Sequence, residues 1–200
     1  MPRPWLTVKP KIPVLGLDDA PFTFKARDVP TPVIGVIMKG SSVFEGCFQG
    51  FFQIDAFDVT TPLIELIKAS PHKGQLRAIM TDGLTLVGFG ILDINRLFQE
   101  MGIPVVAVSL RFPDFNRIRS ALLTHFDDGK ERWTILKRAG TPVHHPKTNN
   151  YLQIAGMPIK TAFQLIEHTT CCGRIPEPIR VAHLIAKSFI TKKKKTIEAK

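Results

Sequence analysis

Apolar and polar positions follow two rhythms along the 200 residues. Up to about residue 54 the apolar runs are short and closed by turn residues, the pattern of strands. The first covers 12–17 and runs into Asp18 and Asp19. The second, TPVIGVIMK at 31–39, is entered through Pro30 and Pro32. The third spans 43–54, after a turn at Gly40, Ser41 and Ser42. Connections this short predict an antiparallel meander. At Asp58 the rhythm changes: Leu63, Leu66 and Ile67 recur at helical spacing, behind capping residues and Pro62.

A short buried strand, 78–80, then delivers Asp82 to a glycine turn. A helix is predicted next, with Ile91, Ile94, Leu97, Phe98 and Met101 on one face and Gly102 as its stop. The unbroken apolar run IPVVAVSL at 103–110 has the character of a strand covered on both faces. Residues 114–126 predict a helix, 131–138 a short element of undetermined type, and 140–150 a polar loop. A strand at 151–155 and helices at 159–168 and 177–189 complete the chain. Antiparallel strands followed by alternating helix and strand predict an α/β fold. Its mixed sheet is an antiparallel meander followed by parallel strands, with helices on both faces. One domain over 1–190 accommodates it, with 191–200 as a basic tail.

Composition narrows the picture. An apolar fraction of 44% and a mean hydropathy of +0.06 belong to a folded chain. No apolar run reaches the roughly 20 residues of a membrane helix, and the N-terminus lacks the apolar core of a signal peptide. The expectation is a cytoplasmic protein. The net charge is +10. Setting aside the four lysines at 192–195 leaves +6, so the body is basic and fits a polyanion such as nucleic acid. Cys47, Cys171 and Cys172 form no CxxC pair, as expected of reduced thiols. A zinc site would need His144, His145 or His168 beside Cys171 and Cys172, at spacings unlike the usual ligand patterns.

The acids carry the candidate chemistry. Asp18, Asp19, Asp58 and Asp82 stand at strand ends or helix starts. If the first strand and the strand of Asp82 are parallel neighbours, their ends share the edge where open α/β sheets bind ligands. Like charges held together call for a cation. Mg²⁺, with its preference for few carboxylates plus water and phosphate, fits; Mn²⁺ is the alternative. Two such ions about 4 Å apart activate water in phosphodiester hydrolysis. Equally, each acid makes an ordinary turn or cap, Asp82 with Gly83 above all. His183, in VAHLIA, is either a half-buried helix residue or a ligand or proton donor near the metal. His72, Lys73 and Arg77 form a basic cluster that either holds a phosphate or is simply solvated. Phe51, Phe52 and Phe57 are core residues or stack on a base.

Several segments resemble the endonuclease V proteins. GRIPEPIRVAHLIA at 173–186 resembles their closing Arg-x-Pro-Glu-Pro-x-Arg segment, and GLDD at 16–19 their first-strand Gly-x-Asp. MTDG at 80–83 followed by GFG at 88–90 resembles their central Asp-Gly and downstream stretch, and IPVVAVS their Pro-Thr-Ile-Gly-Val strand. As a whole, residues 12–190 are similar to the archaeal endonuclease V-like group called endonuclease dU. The resemblance implies a ribonuclease H-like fold and a Mg²⁺-dependent endonuclease acting near a deaminated base, uracil or hypoxanthine, in DNA or RNA. It implies Asp18, Asp82 and Asp58 as metal ligands, with Asp55 a rival to Asp58, Asp19 assisting and His183 near the metal. Arg111, Arg174, Arg180 and Lys73 are the expected phosphate contacts. The Tyr-Ile-Pro-Gly wedge is absent; residues 50–57 read GFFQIDAF. The alternative function is therefore a nucleic-acid-binding protein with a nuclease-like fold and no cutting activity.

Overall fold

The computed structural model of the chain describes residues 8–22 and 29–189. The lysine tail and most of the basic N-terminal arm lie outside the described residues. Nine strands and six α-helices are described, in the order β1 (Pro13–Asp19), β2 (Thr31–Lys39), β3 (Val43–Phe52), α1 (Thr60–Ala69), β4 (Ala78–Asp82), β5 (Thr85–Leu86), β6 (Gly90–Ile91), α2 (Ile94–Met101), β7 (Val105–Ser109), α3 (Phe115–His125), α4 (Gly129–Arg138), β8 (Val143–His145), β9 (Asn150–Ala155), α5 (Ile159–Thr169) and α6 (Glu177–Lys187). Seven strands form one sheet, ordered β3-β2-β1-β4-β7-β9-β8. The meander is antiparallel, and β1, β4 and β7 are parallel.

The pleat sorts side chains to the two faces. Leu15 and Leu17 of β1, Ile79 of β4 and Val105 of β7 point into a core closed by α1 to α4. Val14, Ala78, Met80 and Val106 point the other way, against Ala162 and Leu165 of α5 and Ile179 of α6. Ala182 and Ala186 of α6 pack over Ile34, Val36 and Met38 of β2. Helices therefore cover both faces. Each fully buried aliphatic side chain contributes roughly 1.5–3 kcal/mol by leaving water.

The structure corrects the expected pattern in three places. The helix expected through Ile91 starts only at Ile94, because Asp93 caps it by accepting from the Arg96 amide at 3.1 Å. Before it, β5 and β6 make a small hairpin that turns through Val87 (φ 52°) and Gly88 (φ 86°). The polar segment 140–150 contains β8, which pairs with β9. Its His145 is wholly buried: Nε2 donates to the Phe163 carbonyl and Nδ1 accepts from the Thr148 amide. The run of parallel strands ends at β7, since β9 returns antiparallel beside it. The undetermined element at 131–138 is helical, as α4.

Candidate functional site

The site begins with a register. Leu17 of β1 lies opposite Thr81 of β4 in a parallel pair, so the next residues, Asp18 and Asp82, end neighbouring strands about 4.8 Å apart. Both point to the face of α6. Two residues back in β1, Gly16 lets α6 come close. A Cβ there would sit 2.2 Å from the Pro178 carbonyl carbon and 2.5 Å from the Ile179 nitrogen. One helical turn after Ile179, on the same side of α6, comes His183. Its Nδ1 donates to Asp18 Oδ2 at 2.6 Å, while the Asp19 amide donates to Asp18 Oδ1 at 2.9 Å. Beyond Asp82 the chain turns sharply. Gly83 adopts φ 69°, its amide donates to Val108 O, and Thr81 Oγ1 closes the turn on Gly83 O at 2.7 Å.

Asp18 is 8% exposed, and that burial raises its carboxyl above the usual range despite the bond from His183. Asp82 is also raised, first by the protein crowded around it and next by the charge of Asp18. It is exposed at the strand tip, so water screens part of that crowding. Asp19 points to the opposite face. Burial pushes its carboxyl up to about 6, against a hydrogen bond from the Val87 amide, and the charges of Asp18 and Asp82 add to the rise. Burial first, and then mutual repulsion, works against the charge of three carboxylates at one sheet edge, and His183 and Lys187 of α6 offset part of it at Asp18. Their oxygens are hard donors of the kind Mg²⁺ and Mn²⁺ take. Among the described residues no three His, Cys, Asp or Glu side chains already converge as a metal cage. Cys172 Sγ donates to Cys171 Sγ at 3.7 Å.

The other expected site residues lie elsewhere or are engaged. Asp58 is not brought to the carboxylate pair. Its Oδ1 accepts from the Thr60 and Thr61 amides at the start of α1, and its Oδ2 meets Thr61 Oγ1 and Arg96 Nη1. Partial burial works against its charge, but these bonds prevail and hold its carboxyl below the usual range. Asp55 bonds the Phe89 amide through Oδ1 and sits in the β5–β6 turn region with φ 58°. Lys73 precedes β4 in a single 3₁₀ turn, Lys73–Gln75, and so stands at the opposite end of that strand from Asp82. Arg174 points inward to backbone: it donates to the carbonyls of Thr148, Leu110 and Asn149. Arg180 forms a two-oxygen pair with buried Glu177. Arg111 is exposed just beyond β7, on the same edge as Asp82. Phe52 is core, whereas Phe51 and Phe57 are exposed. Spacing gave no signal of how closely α6 approaches; Gly16 was its trace in the sequence.

The comparisons agree with this architecture. The family model described as endonuclease dU matches residues 10–190. A UPF0215 protein of Methanosarcina barkeri is 40% identical over 185 residues, 92% of this chain and 93% of the relative. A crystal structure of a protein of unknown function from Archaeoglobus fulgidus superposes with a TM-score of 0.80 at 33% identity, over 88% of this chain and 96% of that one. Endonuclease V of Ciona intestinalis, solved with a 24mer DNA containing an inosine, superposes with a TM-score of 0.54 at 12% identity, over 85% of this chain and 82% of that one. The fold is accordingly ribonuclease H-like, in the endonuclease V manner. Matched along nearly its whole folded length, the chain belongs to the endonuclease dU family.

Proposed function

We propose that this protein is a divalent-cation-dependent endonuclease that hydrolyses a phosphodiester bond of nucleic acid close to a deaminated or otherwise modified base. The observation that carries the reading is the Asp18–Asp82 pair under His183. Family membership and the likeness to an endonuclease V bound to inosine-containing DNA support it. Asp18 and Asp82 would hold Mg²⁺ or Mn²⁺, leaving other positions to water and phosphate oxygens, as Mg²⁺ prefers. Bound there, the cation supplies Lewis acidity toward the phosphoryl oxygens. His183 holds Asp18 in place through Nδ1, which leaves Nε2 as the ring nitrogen free to meet a substrate or water proton. Arg111 is an exposed cation on this edge for a neighbouring phosphate. Arg174 and Arg180 support the surrounding backbone and α6.

The test is cleavage of DNA and RNA strands carrying one uracil, one hypoxanthine or no modified base, with Mg²⁺ and with Mn²⁺. Cutting at a fixed offset from one base is expected. Asp82→Asn should lower the rate by about a thousandfold or more while the protein stays folded, since the charge needed by the transition state is gone. Equal rates in the two proteins would refute the assignment. A second reading, binding without cutting, is favoured by the engagement of Asp58 with α1 and Arg96. It predicts salt-dependent binding and no cleavage with either metal.

A further inference from the structure

We propose that the edge-to-face aromatic cluster beyond β7 is a stacking platform for single-stranded nucleic acid, feeding a flanking segment of the strand toward Asp82; this rests on the nuclease reading above. The cluster is built on the same sheet edge. Asp82 pairs in register with Val108 of β7, Ser109 pairs with Tyr151 of β9, and Tyr151 pairs with His144 of β8. From Asp82 to Tyr151 is two strand spacings, about 10 Å along the backbone; Tyr151 faces the α3–α4 side and Asp82 the α6 side, so a bound strand reaches both by passing over the end of the sheet.

Three rings meet in sequence along this row. Phe112 packs edge-on against Tyr151 with centroids 5.4 Å apart, and Tyr151 lies 5.2 Å from His144. From behind, Phe115 braces Phe112 at 5.7 Å. Phe112 is 51% exposed and His144 is exposed. The half-exposed Phe112 ring, with Tyr151 and His144 beside it, offers a flat apolar face to a ligand. The surrounding charge selects its class. Arg111, Arg117 and Arg119 are exposed and close to Phe112 in the chain, and the acid among them, Asp114, accepts the Arg117 amide at Oδ1 and lies 3.9 Å from Arg117 Nε at Oδ2. Cations beside stacked rings match a polyanion carrying bases.

Arg174 explains why the platform is ready-made. Its guanidinium ties Leu110 O, ahead of Phe112, to Thr148 O and Asn149 O, ahead of Tyr151. The two segments that carry the rings are thereby locked together, and a strand binds without having to order them. A duplex keeps its base faces covered, so the platform discriminates in favour of single strands.

The experiment uses the full chain with chelator present, so that binding is read without cutting. The probes are a fluorescein-labelled oligothymidylate of about 15 nucleotides and a duplex of about the same length. Phe112→Ala should weaken single-strand binding by about 5- to 50-fold and duplex binding by less than about twofold, and Phe112→Tyr should restore the single strand. No loss, or an equal loss on both probes, overturns the proposal. So does altered self-association at unchanged binding, which would make this a protein-docking face. Failure of the nuclease reading looks different: no strand is cut, yet the Phe112→Ala effect on single strands persists.

Discussion

Two charged regions of this protein treat buried charge in opposite ways. Arg132, 3% exposed, is saturated. Nε and Nη2 grip the Asp128 carboxylate. Nη1 reaches Ala56 O and Phe89 O, and Nη2 also reaches Asp55 O at 2.9 Å. The Phe126 ring lies 4.6 Å from the guanidinium carbon. Nothing about this knot invites a ligand; it pins the β5–β6 turn and the 55–57 segment to α4. At the tips of β1 and β4 the opposite holds: Asp18, Asp19 and Asp82 crowd like charges together, with the His183 imidazole and the Lys187 ammonium as partial relief at Asp18. Charge that is fully partnered builds structure. Charge held against its own kind keeps free energy in reserve for a cation or a substrate.

The largest effect is expected at the saturated guanidinium. Arg132→Met would leave the Asp128 carboxylate and three carbonyls unpaired and should destabilise the fold by about 3–5 kcal/mol, measured by denaturant unfolding. A loss below about 1 kcal/mol would show that the knot is not structural. The carboxylate edge should respond in the opposite direction. Asp19 is raised in the fold to about 6 from a usual 3.8, so the native state holds a proton that the unfolded chain has released. Stability then falls as pH climbs from about 4 through about 6. Asp19→Asn should therefore gain about 1–3 kcal/mol near pH 7.5 and nearly nothing near pH 4, in metal-free unfolding at the two pH values. A smaller effect belongs to Asp58. Asp58→Ala removes the bonds to the first amides of α1 and should lower stability by about 1 kcal/mol, leaving strand cleavage within about twofold of wild type. Loss of cleavage by orders of magnitude would return Asp58 to the site.

Much of this was legible in the sequence where the physics is local. TPVIGVIMK forms β2 over the expected residues, and Gly102 ends α2 with φ 65°. The parallel neighbours that bring Asp18 to Asp82 were expected through the ribonuclease H-like resemblance, since the succession of elements leaves several topologies open, and the register shows them. What stayed hidden depends on long-range partners. Asp58 and Asp18 are the same residue type at an element end, and only their neighbours, Arg96 for one and His183 for the other, separate a cap from a site acid. Arg174 and Arg180 resemble phosphate contacts in one dimension, but their acceptors are backbone carbonyls and Glu177. β8 escaped notice because His145 and Asn150 are polar residues buried by hydrogen bonds that no periodicity records.

The proposed function requires the Asp18–Asp82 edge to take a divalent cation. The most direct measurement is Mn²⁺ and Mg²⁺ titration at pH 7.5, following the unfolding midpoint of wild type and Asp82→Asn. Wild type should show a concentration-dependent rise, about 2.7 kcal/mol at a hundredfold excess over Kd, and the variant no such rise. Equal stabilisation of both proteins, or of neither, would contradict the proposed function.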